Sequence, residues 1–218
     1  MLTIIYGRSG SGKSRSLKNL PKDKTLLINV QGKPLPFKGA FPMTFLPKGN
    51  DGLLEQFERT ILGTLKKYPE TNVIVIDDAG YMLTKKFMAK HKEKAGSASF
   101  DLFNDIADDF WRLINFCNNL PSHVNTYIMM HESQSDYGDV KFKTIGKLLD
   151  EKVCIEGCVT VCLRCMTDGK RHWFQTQNSG SDVSKSPEEM FPEETIENDL
   201  LLVDQCIRDY YSEDTKAS

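Results

Sequence analysis

The chain has 218 residues, of which 39% are hydrophobic and 27% charged. Those proportions are ordinary for a globular protein with its own core and exclude wholesale disorder. With 28 Lys+Arg against 30 Asp+Glu, the formal charge of −2 excludes a global basic field, so any contact with DNA or RNA requires a local patch or an oligomeric surface. The longest apolar runs, at 73–76 and 126–130, fall far short of the roughly 20 residues that span a bilayer. The first six residues lack the basic and apolar regions of a signal peptide. The six cysteines are therefore expected to be reduced core thiols in a cytoplasmic protein. One domain is expected over 1–218.

In chain order, residues 2–6 form a short apolar run that stops at glycine, the pattern of a buried strand. Residues 13–20 predict a helix ended by Pro21, and 25–30 a second buried strand. The segment 31–50 carries Pro34, Pro36, Pro42 and Pro47 with three glycines, which predicts a long loop. From 51 to 68, Leu54, Phe57, Ile61 and Leu65 recur at helical spacing, with Asp51 as the expected cap. Residues 73–76 are a third strand closing on Asp77 and Asp78. Residues 79–95 read as a helix drifting into a polar, mobile stretch at 90–98.

Residues 100–120 predict a strong helix, with Phe103, Ile106, Phe110, Leu113, Ile114 and Cys117 on one side. A fourth strand follows at 124–130, then a polar loop at 132–143 and a short helix at 145–152. Residues 158–165 and 171–176 predict a strand pair turning at 167–169. A polar loop over 179–192 and a terminal helix over 194–211 complete the chain. Strands alternating with helices, all continuous apolar runs, predict an α/β fold with a parallel sheet covered on both faces.

The residues Gly7, Arg8, Ser9, Gly10, Ser11, Gly12, Lys13 and Ser14 satisfy G-x-x-x-x-G-K-[ST] in full, between a predicted strand and a predicted helix. Glycines allow backbone N–H groups to curl round a β-phosphate, and the start of the following helix, with Arg15, extends that cradle. Lys13 would reach the β- and γ-phosphates and the Ser14 hydroxyl would sit on Mg²⁺. ATP with Mg²⁺ is the expected ligand. Asp77, ending a buried strand, would hold the metal through water. Asp78 is placed either to accept a proton from an attacking water or to cap the next helix. His131 and Glu132 close the fourth strand at the carboxyl edge, where α/β sheets bind ligands. His131 reads either as a γ-phosphate sensor or as a satisfied strand-end histidine.

These features resemble the RecA-like core of P-loop ATPases, and more narrowly the small phage ATPases of the Sak type, linked to single-strand annealing recombination. The resemblance covers most of the chain. It rests on the phosphate loop, the segment 28–33, the Asp77-Asp78 strand end and Met130-His131-Glu132, with familiar phrases at 33–37, 143–149 and 185–187. It implies a RecA-like P-loop NTPase with a C-terminal strand pair, acting on single-stranded DNA as a homo-oligomer together with a single-strand-binding protein. Such ATPases carry a catalytic glutamate just past the second core strand, and Gln31 stands at that position. Glutamine orients water but takes no proton, so slow hydrolysis, or a base supplied by Asp78 or Glu132, is expected. His131 matches the family's γ-phosphate-sensing glutamine. Lys143, Lys147, Arg164 and Lys185 are the candidates to complete a neighbouring subunit's site.

Lys85, Lys86, Lys90, Lys92 and Lys94 crowd one ten-residue stretch with Phe87 and His91. They read either as a grip on single-stranded DNA, with Phe87 as a stacking platform, or as a solvated helix face. Cys154, Cys158, Cys162 and Cys165 suggest zinc, but the last two would point to opposite faces of one strand, and core thiols fit better. Three other readings compete with a recombination ATPase. One is a small-molecule P-loop kinase, disfavoured because the seven arginines form no lid cluster. A helicase loader is disfavoured because no helical lid follows the core. A nucleotide-gated scaffold with little hydrolysis is kept open by Gln31.

Overall fold

The computed structural model describes residues 1–92, 98–145 and 153–214. Nine strands among these residues form the sheet: β1 (Leu2–Gly7), β2 (Thr25–Asn29), β3 (Met43–Phe45), β4 (Val73–Asp77), β5 (Asn125–Gln134), β6 (Val140–Phe142), β7 (Val161–Thr167), β8 (His172–Gln175) and β9 (Thr195–Glu197). Their order is β3-β2-β4-β5-β1-β7-β8-β9, parallel from β3 to β7 and antiparallel from β7 to β9, with β6 folded back on the end of β5. Among the described residues four α-helices accompany them: α1 (Leu53–Lys67), α2 (Gly80–Lys90), α3 (Ala98–Asn118) and α4 (Leu200–Asp214). The result is an α/β protein with a mostly parallel central sheet flanked by helices.

The strands read as unbroken apolar runs because both faces are covered. Ile4, Tyr6, Ile28, Ile74, Ile76, Ile128 and Met130 pack towards Phe57 and Ile61 of α1 and Ile106 and Phe110 of α3. The alternate residues Ile5, Leu27, Val75, Tyr127 and Met129 pack on the other face with Leu17, Leu200, Val203 and Ile207. Cys162 lies in the first of these cores and Cys165 in the second, the opposite-face arrangement that their spacing predicts. A buried Asp204 anchors α4, accepting hydrogen bonds from Asn125 Nδ2 and Tyr127 Oη, both at 2.8 Å, and from Arg208 Nε at 2.7 Å. No helix among the described residues is long and apolar enough to cross a membrane.

Five local expectations are corrected. The segment 31–50 is not loop throughout, because Met43–Phe45 adds an edge strand beside β2. The helix after the phosphate loop is a six-residue 3₁₀ helix, Ser14–Asn19, too short and tight to supply a full helix dipole. Asp51 caps nothing on α1; Gly52 precedes that helix at φ 64°, and Asp51 pairs with Lys90 at 2.7 Å. The polar stretch after Met130 continues as a hairpin of β5 and β6, turned by Gly138 at φ 93°. Its second strand is only three residues long, though Val140 and Phe142 are buried in the first core and the Phe142 ring meets Tyr6 edge-on at 6.3 Å. Finally, the terminal helix begins at Leu200, with β9 occupying part of the segment read as helix. The expected mobile stretch at 90–98 and helix at 145–152 fall largely outside the described residues.

Candidate functional site

The carboxyl ends of β1, β2, β4 and β5 converge on a cleft of about 380 Å³. Its floor is the loop between β1 and the 3₁₀ helix. Two of that loop's glycines are required by close approach: a Cβ on Gly7 would lie 2.3 Å from the Cys165 carbonyl oxygen, and one on Gly12, at φ 107°, would strike His172 and Asn198. Gly10 has open space before it. Ser9, Gly10, Gly12, Lys13, Ser14 and Arg15 line the cleft, whereas Ser11 is buried behind it and Arg8 turns towards Glu132.

Lys13 is 6% exposed and donates to the carbonyls of Gly7 (2.8 Å) and Arg8 (2.9 Å). Burial lowers its pKa from the ordinary lysine value, opposed by nearby Asp77, Asp78 and Glu132. Across the cleft, Ser14 Oγ donates to Asp77 Oδ2 at 2.8 Å. Asp77 is almost wholly buried, and its other oxygen, Oδ1, has no hydrogen-bond partner. Burial raises this carboxyl's pKa despite the Ser14 bond.

Asp78 adopts a left-handed backbone at φ 59°, a conformation Asp tolerates better than most residues. It provides no side-chain cap to α2. Its carboxylate instead pairs with Lys33 at 2.7 Å and stands 3.4 Å from His131 Nε2. Burial pushes this carboxyl up, but His131 and Lys33 outweigh it and hold the pKa at about 2. The cap reading of Asp78 is thereby corrected: it caps no helix, and its carboxylate is instead engaged by Lys33 and His131.

Glu132 is also committed. Arg8 Nε donates to its Oε1 at 2.9 Å, and Arg164 reaches both oxygens at 2.9 and 3.3 Å. Arg164, one of the residues expected to act on a neighbouring subunit, is thus held within its own chain. Lys143 is exposed at the end of the β5–β6 hairpin, and Lys185 pairs through its backbone with Cys162. Lys147 lies outside the described residues. Gln31 does not line the cleft, whereas Asn29, two residues earlier, does. Gln31→Glu is accordingly expected to leave any steady-state ATP turnover within about twofold of the parent, since the half-buried side chain stands off the cleft. A rise of tenfold would place position 31 at the reacting phosphate.

The lysine stretch is mostly occupied. Lys85 Nζ donates to the Val30 carbonyl, Lys86 pairs with Asp109 at 2.6 Å, and Lys90 pairs with Asp51. Phe87 stacks on Phe103 and His91 inside the α2–α3 pair, leaving it unsuited as a platform for bases. Lys92 is exposed, and Lys94 lies outside the described residues.

Four contributors escaped the sequence reading. His172 Nδ1 lies 2.7 Å from the Ser11 carbonyl, and Asn198 contacts both Arg15 and Cys165. Lys33 and Asn29 complete the far wall with 34–36. Asn29 and Lys33 carried a signal through resemblance alone, in the segment 28–33 and the phrase at 33–37. His172 and Asn198 are isolated polar residues in β8 and beyond β9, and only the packing of those strands against the loop reveals them. Comparison with protein-family models and with curated protein sequences finds no match to this chain.

Proposed function

We propose that this protein binds ATP with Mg²⁺ in the cleft and works as an ATPase in phage DNA recombination or replication, on single-stranded DNA and as a homo-oligomer. The observation that carries the nucleotide reading is the Ser14–Asp77 hydrogen bond. It joins the loop after β1 to the end of β4 across the intervening β5, a strand order compatible with a RecA-like P-loop core. The residues fit the cofactor. Asp77 Oδ1 is an orphaned buried oxygen beside a serine hydroxyl, the hard-oxygen set that Mg²⁺ takes with several of its own waters. Gly10 leaves the loop backbone open, and Lys13 supplies the cation for phosphate oxygens. Bound Mg²⁺ would neutralise phosphate charge; Lys13, Ser14 and Asp77 would position it.

The DNA, the single-strand-binding partner and the oligomer rest on the resemblance. One set of contacts favours a second reading, a nucleotide-gated scaffold that turns over slowly. Asp78 is held at about 2, Glu132 is bound by two guanidiniums, and Gln31 stands off the cleft. None of the three is poised to take a proton from water.

Steady-state ATP hydrolysis with and without single-stranded DNA, with Lys13→Ala as the blank, tests the proposal. The expected result is a slow basal rate that rises with DNA. A background rate in protein that binds ATP would select the scaffold, and failure to bind ATP would remove both readings.

A further inference from the structure

A second chamber of about 460 Å³ opens beside the cleft, sharing Ser9, Lys33 and His131 with it. The divide between the two is the group in which Lys33 and His131 both lean on Asp78. Tyr81, at the start of α2, supports that divide from the chamber side. Its ring meets His131 edge-on at 5.7 Å and lies 5.6 Å beneath Lys33 Nζ.

The lining has the chemistry of an anion site. Lys33, Lys143 and Thr84 line it. The one carboxylate among its lining residues, Glu132, is neutralised by Arg8 and Arg164. Around the chamber four cations therefore face two carboxylates, Asp78 and Glu132. Among the described residues no carboxylate pairs with Lys143. Among the described residues no free carboxylate lies on its walls, so the chamber is better suited to holding an anion than to activating a nucleophile.

We propose that this chamber is a phosphate subsite, taking orthophosphate that leaves the nucleotide cleft between Lys33 and His131. The inference rests on the nucleotide reading above and extends it: the cleft and the chamber are consecutive stations for a phosphoryl group, and Lys143 holds the second.

Isothermal titration of the full chain tests this in two steps, first ADP with Mg²⁺, then orthophosphate into the saturated complex. Saturable phosphate binding is expected, weakened about tenfold in Lys143→Ala, the loss of one charge-assisted contact. ADP affinity should be unchanged, because Lys143 does not line the cleft. ADP binding without saturable phosphate, or equal phosphate affinity in Lys143→Ala, overturns the subsite alone. Failure of ADP to bind overturns the nucleotide reading and the subsite with it. Dimethyl phosphate and a short single-stranded oligonucleotide are titrated in parallel. Saturation by either in place of orthophosphate would make the chamber a phosphodiester site and overturn its role for released phosphate.

Discussion

Lys13→Ala is expected to weaken ATP binding by two to three orders of magnitude. The ammonium sits at the base of the loop, bonded only to the carbonyls of Gly7 and Arg8, and burial already disfavours its charge. A phosphate oxygen is a stronger partner than either carbonyl, and each charge-assisted hydrogen bond is worth about 1.5–3 kcal/mol. Contact with two phosphates gives about 3–4 kcal/mol, which is on the order of 100- to 1,000-fold in affinity. The substitution also strands two loop carbonyls, so the fold must be monitored separately. Lys13→Met keeps the apolar stem while removing the charge, and should lose the same affinity with a smaller drop in melting temperature. Fluorescence titration with an ATP analogue, beside thermal melts of both variants, checks this. Parent-like affinity in either folded variant would remove the phosphate-loop assignment.

The loop was legible because its demands are local: glycines at fixed spacing, then lysine and serine, between an apolar run and a turn. The core strands were legible for the same reason, since a strand buried on both faces has no polar positions to blur it. What the sequence hid depends on distance. Asp78 looks like a base or a cap when only its neighbours are known, but its role is set by Lys33 and His131, far away in the chain. Glu132 looks available until Arg8 and Arg164 are brought to it. The lysines of α2 look like a nucleic-acid patch until the carboxylates of Asp51 and Asp109 face them. The β5–β6 hairpin and β9 were missed because β6 and β9 are three residues each, too short to leave a periodic apolar trace although Val140, Phe142 and Ile196 are buried. In each case an identity was read correctly and a partner was not.

The buried acid gives the sharpest test, because stability and function should move in opposite directions. Asp77 is 5% exposed with one oxygen unpartnered, and burial raises its pKa. A carboxyl whose folded pKa lies above its unfolded value favours folding only while protonated, at low pH. That contribution is lost as pH rises through the folded value, so at neutral pH the ionised group costs stability. Asp77→Asn removes the charge, keeps the shape and leaves an amide oxygen to accept from Ser14. In the absence of Mg²⁺ and nucleotide it should be more stable at pH 7 by about 1–2 kcal/mol, raising the melting temperature by about 2–6 °C. The gain should shrink on acidification, as the parent's Asp77 takes up its proton. Mg²⁺ should then enhance nucleotide affinity about 10- to 100-fold less than in the parent, the usual loss when a residue that orients a metal's ligands is removed. Melts across pH, paired with nucleotide titrations with and without Mg²⁺, measure both effects. A variant that melts lower at pH 7 and keeps its Mg²⁺ dependence would make Asp77 a structural acceptor for Ser14 and remove it from the proposed metal site. A cation bound at Asp77 would compensate the charge that burial leaves at the end of β4.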